Sequence, residues 1–209
     1  MMIRHHLTDS LLIAYAAGNL PEAFALVAAA HVSLCDECRA QLGAFEAVGG
    51  AVLEAGDGAV AMEGGVETCL ARHVAPTVAA RRSGIMPAPL AAYVGGGLEA
   101  VKWRPLGMGV RQAILPTSKH ASARLLHIPA GAAVPDHGHR GIELTLVLQG
   151  AFVDSTDRFG PGDVEVAGEE LQHLPVADIG LDCVCLAATD APLRFKDWLP
   201  RMMGPLFRI

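Results

Sequence analysis

The stretch AAAHVSLCDEC, residues 28–38, sets His31, Cys35 and Cys38 at His-x3-Cys-x2-Cys spacing. An imidazole and two thiols are soft donors of the kind that bind zinc, which in structural sites takes four protein ligands in a tetrahedron. On a helix His31 and Cys35 share a face. Cys38 falls one turn further on, where a second helix starts and the helix dipole favours a thiolate. One metal there would pin the junction between two helices. By spacing, His5 and His6 are both candidates for the fourth ligand, and either would fasten the N-terminal arm to the helices. A CxxC redox pair is the alternative chemistry, but the surroundings are helical rather than βαβ.

A second set of donors lies in GAAVPDHGHRGIELTLVLQG. From Gly131 the spacing is Gly-x5-His-x-His-x3-Glu-x6-Gly, with His137, His139, Glu143 and Gly150 in the marked positions. Residues two apart on an extended chain point the same way, so His137 and His139 can share a metal, and Glu143 lies at an even offset. Further on, FGPGDVEVAGEELQHLP offers a Pro161-Gly162-Asp163 turn and His173 as another donor. Three imidazoles and a carboxylate suit Zn²⁺ and equally Mn²⁺, Fe²⁺ or Ni²⁺. Cys183 and Cys185 fall on one face of a strand, poorly placed for a disulfide and read as core. Cys69 with His73, and His120 and His127, form no set with partners.

The elements that must position these donors change character along the chain. Thr8 or Asp9 can cap a helix through SLLIAYAA that Gly18 ends, and Pro21 suits the first turn of PEAFALVAAAHVSL. A third helix starts near Asp36 with Leu42, Phe45, Val48 and Val52 on one stripe, and a weaker fourth carries Met62, Val66, Leu70 and Val74. PTVAARRSGIMPAP, residues 76–89, breaks the pattern with three prolines and reads as a linker. Beyond it RQAILP, ARLLHIP, ELTLVLQG, GDVEVA and LDCVCLAA read as closely spaced strands of a sandwich or barrel. The apolar C-terminal stretch WLPRMMGPLFRI calls for a partner surface. The expected fold is therefore α plus all-β in two domains: a metal-bound helical bundle over 1–75, a linker over 76–89, and a β-barrel over 90–209.

Bulk properties narrow the function. The 209 residues are 52% hydrophobic and only 5% aromatic, alanine supplying much of the apolar content. No apolar stretch approaches the roughly 18–20 residues that span a bilayer, and the N-terminus lacks the apolar core of a signal peptide. The reading is a soluble, cytoplasmic protein in which an odd number of cysteines, five, serves metal binding rather than a disulfide framework. Residues 1–75 hold three basic against nine acidic side chains, so the whole net charge of −6 sits in the first third. Such a surface argues against direct DNA binding and is compatible with docking on a basic protein.

The first segment, with a leading histidine and His-x3-Cys-x2-Cys between helices, resembles the zinc-binding domain of ZAS-type anti-sigma factors, which implies His6, His31, Cys35 and Cys38 as the zinc ligands. The His137, His139, Glu143 pattern resembles the first cupin motif, and His173 stands for the later cupin ligand at a spacing that departs from the common one. Together, zinc bundle, linker and metal cupin resemble the ChrR-type anti-sigma factors along almost the whole chain. That resemblance implies that residues 1–75 bind a group IV (extracytoplasmic-function) sigma factor, and that the cupin half responds to singlet oxygen or related oxidants and triggers its release. The rival is a metal-dependent cupin oxygenase or isomerase with a structural zinc bundle. No separate acid, base or substrate anchor accompanies the motif, which argues against a small-molecule substrate and for a regulator rather than an enzyme.

Overall fold

The computed structural model describes residues 2–56, 58, 64–71, 84–134, 137–138, 140–191 and 194–195, with the backbone alone for 137, 194 and 195. Part of the expected linker (76–83), together with Met62, His73, Val74, His139 and the C-terminal stretch WLPRMMGPLFRI, lies outside the described residues.

The first three helices start and stop where local chemistry dictates. α1 (Asp9–Ala16) is capped by Thr8, whose hydroxyl accepts from the Leu11 amide, and the chain leaves it through Gly18 at φ +68°. Pro21 precedes α2 (Glu22–Val32), and Cys35 caps α3 (Asp36–Glu54), its sulfur accepting from the Cys38 amide. These three helices pack on one another, with Leu12, Val27 and Leu42 buried between them. α4 (Gly65–Ala71) buries none of its residues.

The β-rich half follows. A helix absent from the sequence expectation, α5 (Ala88–Val94), begins inside the stretch read as linker, and Met86 just before it is buried. Pro87 at its N-cap and Pro89 in its first turn are compatible with helix entry, so this proline cluster starts an element instead of ending one. The strands are β1 (Arg104–Gly107), β2 (Val110–Leu115), β3 (Ser122–Ile128), β4 (His137–Gly138), β5 (Glu143–Gln149), β6 (Phe152–Val153), β7 (Arg158–Phe159), β8 (Val164–Ala167), β9 (Gln172–His173), β10 (Val176–Ala177), β11 (Cys183–Thr189) and β12 (Arg194–Phe195). Six form one antiparallel sheet, β1-β2-β3-β11-β5-β8, and the rest form two small sheets, β10-β6-β7 and β12-β4-β9. Among the described residues the expected barrel is thus three sheets rather than one closed hydrogen-bonded ring, six of the strands being only two residues long. Gly150 makes the turn after β5 at φ +68°, where a Cβ would lie 2.6 Å from the Asp182 carbonyl.

The large sheet is buried on both faces, which is why β5 and β11 read as unbroken apolar runs. One face presents Leu144, Leu146, Leu125, Leu186 and Ala188 to α2, on which α5 packs in turn, and these residues share one core with Leu12, Val27 and Leu90 of the helices. The other face carries Val147, Cys183 and Cys185 against Phe152 and Phe159 of the smaller strands. The helices and the sheet are therefore joined by a continuous apolar core.

A shared core predicts shared unfolding. Leu186→Ala, which removes a fully buried side chain from the helix-facing side of the sheet, should cost about 2–5 kcal/mol. In calorimetry the helical and sheet signals should move down together in one transition. A helical transition left in place while the sheet melts early would contradict the shared core.

Candidate metal centres

Three separate stretches of chain meet at one point: the arm before α1, the last turn of α2, and the first turn of α3. His6 Nδ1 lies 3.3 Å from Cys35 Sγ and 3.6 Å from Cys38 Sγ, and His31 Nε2 lies 3.2 Å from Cys38 Sγ. One donor atom from each of the four residues falls within 4.8 Å of the others. A tetrahedral centre with metal–sulfur bonds of about 2.3 Å and metal–nitrogen bonds of about 2.0–2.1 Å has nitrogen–sulfur edges of about 3.5 Å. The four donors fit such a centre as they stand.

Each imidazole is aimed by its other nitrogen. His31 Nδ1 is 2.9 Å from the Gly162 carbonyl, which can only accept, so the proton sits on Nδ1 and the Nε2 lone pair faces the thiols. His6 Nε2 lies 3.4 Å from a Glu37 carboxylate oxygen, leaving Nδ1 for the centre. Burial pushes the His31 imidazolium down to about 4 and the Cys38 thiol up to about 11. Left alone, His31 and Cys38 thus favour neutral imidazole and thiol, and a divalent cation is what would draw out the Cys38 thiolate.

Spacing left His5 and His6 open, and the geometry separates them. The His5 ring turns away from the thiols, 3.1 Å from Asp157 and with its centroid 4.4 Å from that of Phe159. Only His6 joins His31, Cys35 and Cys38.

The second donor set is spread over two sheets. His173 on β9 is the cross-strand partner of His137 on β4, while Glu143 opens β5 in the large sheet and accepts from Thr145 Oγ1 at 3.2 Å. Neither the His137 side chain nor His139 is among the described positions. The buried His173 ring has Nδ1 2.7 Å from Asp154 and 3.2 Å from Glu165, so a metal held by this ring would take Nε2. Burial raises the Glu165 carboxyl to about 7. At His173 burial works the other way, but the Glu165 and Asp154 carboxylates outweigh it and raise the imidazolium to about 9.

Asp154 and Glu165, with His173, form a second cluster able to hold a cation, and the sequence reading had missed both carboxylates. Glu165 had a visible signal, a charge inside the apolar run GDVEVA. Asp154 looked like any turn aspartate. Cys183 and Cys185 are buried in the sheet core, as their apolar neighbours implied, and Cys69 is exposed on α4. His127 pairs with Asp182 at 3.3 Å and lies edge-on to Trp103, a structural setting on β3.

The protonation states give a measurable linkage. Binding a divalent metal to the His6, His31, Cys35, Cys38 cluster should release protons near neutral pH, the buried Cys38 thiol giving up one of them. His31, with a value of about 4, contributes none there. Affinity should therefore rise with pH through this range, by at least about one log unit per pH unit. Calorimetric titration in buffers of different ionisation enthalpy counts these protons, and a count of zero would exclude thiolate ligation.

Residues 94–191 match the family model of the ChrR cupin-like domain. Across its full length the chain is 62% identical, over 213 aligned positions covering 100% of both proteins, to the anti-sigma-E factor ChrR of Cereibacter sphaeroides. A chain in the crystal structure of Rhodobacter sphaeroides SigE in complex with the anti-sigma ChrR matches with 61% identity and a TM-score of 0.81, covering 90% of this chain and 100% of that one. The likeness thus includes the N-terminal helices as well as the sheets. Identity this high over the complete length leaves one assignment: the chain belongs to the ChrR family of anti-sigma factors, regulatory proteins rather than enzymes.

Proposed function

We propose that this chain sequesters a group IV (extracytoplasmic-function) sigma factor, keeps it from core RNA polymerase, and releases it under oxidative stress of the singlet-oxygen type. Residues 1–75 form the inhibitory clamp, with zinc on His6, His31, Cys35 and Cys38 substituting for the core that so short a helical segment lacks. Residues 76–89 connect it to the cupin half, 90–209. There a divalent metal, zinc or one of Mn, Fe and Ni, is held by His137, His139, Glu143 and His173, and this half reads the stress. The site of action is the cytoplasm, where reduced thiols are available to bind metal. No helix among the described residues is long and apolar enough to cross a membrane.

The observation that carries this reading is the second half of α3. Leu42 and Cys38, near its start, are buried, but Val48, Val52 and Leu53 further along are 64%, 69% and 82% exposed. Val66 and Leu70 on α4 are 68% exposed as well. An apolar surface left in water beside Glu46, Glu54 and Glu67 fits a protein partner that brings both apolar and basic groups. The relative crystallised with SigE supports a sigma factor as that partner.

The test is binding of the cognate sigma factor by full-length protein carrying Val52→Asp and Leu53→Asp. Both side chains are exposed, so fold and metal content should stay at wild-type levels. Affinity should fall by roughly 30-fold or more, the effect of losing a central apolar anchor. Wild-type affinity in this double variant would remove the surface from the interface and the main support for the reading.

A further inference from the structure

We propose that the cupin turn Pro161–Asp163 is a positioning element of the helical metal centre: it holds two of the four donors in place, so docking of the sheet and retention of the metal are linked equilibria. The inference rests on the reading that His6, His31, Cys35 and Cys38 hold a metal, and adds to it a role for residues of the other half of the chain.

Two ligands are reached from this one turn. Gly162, at φ +90°, points its carbonyl at His31 Nδ1, 2.9 Å away, and so fixes both the tautomer and the ring plane of that ligand. The next residue fixes His6. One oxygen of Asp163 accepts the amides of Arg4 at 2.7 Å and His5 at 3.0 Å, the two residues that lead into His6. Its other oxygen accepts the Gly160 amide at 2.8 Å, which closes the turn. The His5 carbonyl in turn accepts the Val164 amide at 3.2 Å, so residue 5 is tied on both sides of its backbone. Its ring packs on Phe159 and pairs with Asp157.

These contacts do what outer partners of a metal ligand do in general: they restrict each donor to the geometry the metal needs before it binds. Asp163 is 4% exposed, so its carboxylate is shielded from water and its bonds to the arm are not replaced cheaply by solvent. With Ile3 and Leu7 packed on the core, these bonds keep the arm folded back so that His6 stays beside the thiols.

The same strand also reaches the other donor set. β8 begins at Val164, and Glu165, two residues after Asp163, lies 3.2 Å from His173. β8 pairs with β5 so that Ala167 faces Glu143. Asp163 and Glu165 therefore connect the helical centre and the His173 cluster through five residues of continuous backbone, 161–165. By linkage, whatever displaces this segment in the sheet loosens the metal in the helices, and loss of that metal loosens the segment by the same factor.

The experiment uses full-length protein loaded with Co²⁺. The cobalt–thiolate absorption reports the helical centre, since His137, His139, Glu143 and His173 contain no sulfur, and the same band in Cys35→Ala/Cys38→Ala protein measures any share from Cys69, Cys183 or Cys185. Asp163→Ala should weaken cobalt binding at that centre by about 10–100-fold, the usual effect of losing an outer partner of a ligand. Asp163→Asn keeps a carbonyl oxygen for the Arg4 and His5 amides and should fall between it and wild type. Arg158→Ala, which breaks only the surface pair with Asp178, is the control and should stay within about twofold, as expected for an exposed ion pair. The reciprocal measurement needs no variant: chelating the metal from wild-type protein should speed hydrogen exchange at the Arg4, His5 and Val164 amides. An Asp163→Ala protein that binds cobalt like wild type overturns the proposal. If that variant does not fold, unchanged exchange at the three amides after chelation overturns it instead. A wild-type protein with no cobalt–thiolate band would remove the metal reading and this inference together, whereas a band indifferent to Asp163 removes only the inference.

Discussion

Two imidazoles and two thiols from three stretches of chain must lie within 4.8 Å of one another, and much of the N-terminal half is arranged by that demand. Residue 31 has to fall in the last turn of α2 and residue 35 has to cap α3, so the break between the helices can be only as long as Ser33–Cys35. Cys35 does two things there, since its sulfur also accepts the Cys38 amide and satisfies one of the open donors of the new helix. The arm must fold back to bring in His6, and the cupin turn at 161–163 holds it there. Around a divalent cation the cluster is a cross-link among the arm, α2 and α3.

The sheet solves a different problem. Its two faces are both buried but do different work: Leu144, Leu146 and Leu186 meet the helices, while the opposite face carries the buried thiols and leads to Glu165 and His173. Because α2 packs directly on β11 and β5, and α5 on α2, the helical and sheet halves cannot move independently without exposing apolar core. A regulator built this way can change the grip of its helices from the sheet side. How far a trigger shifts that grip depends on its differential binding to the two states, several kcal/mol being needed to empty most of a tight complex.

Much of this was legible in the residues. Thr8, Gly18, Pro21 and Asp36 marked the first three helices, because caps act locally and leave a local trace. Five of the six strands of the large sheet were visible as apolar runs, β1 (Arg104–Gly107) being the exception, and His31, Cys35 and Cys38 declared the metal chemistry by spacing. What could not be read was long-range. Nothing near Asp163 says that its carboxylate will accept amides from residues 4 and 5, and nothing near Asp154 says that it will meet His173. Two-residue strands such as β4 and β9 are too short for any periodicity, so the register that sets His137 opposite His173 was invisible. α5 was missed because Pro87 and Pro89 mark a helix start as readily as a linker. Val48 and Val52 share a stripe with Leu42 and Phe45 by their period, but period alone does not tell that the helix outruns its partners and leaves them exposed.

The central claim is that metal at His6, His31, Cys35 and Cys38 holds the helices in the form that grips a sigma factor. It is tested most directly by co-purifying the cognate sigma factor with full-length protein and with a Cys35→Ala/Cys38→Ala variant, and measuring the metal in each. The variant leaves His137, His139, Glu143 and His173 untouched. The variant should contain one metal fewer than wild type and carry no sigma factor. A variant that has lost the metal and still carries a full complement of sigma factor would contradict it.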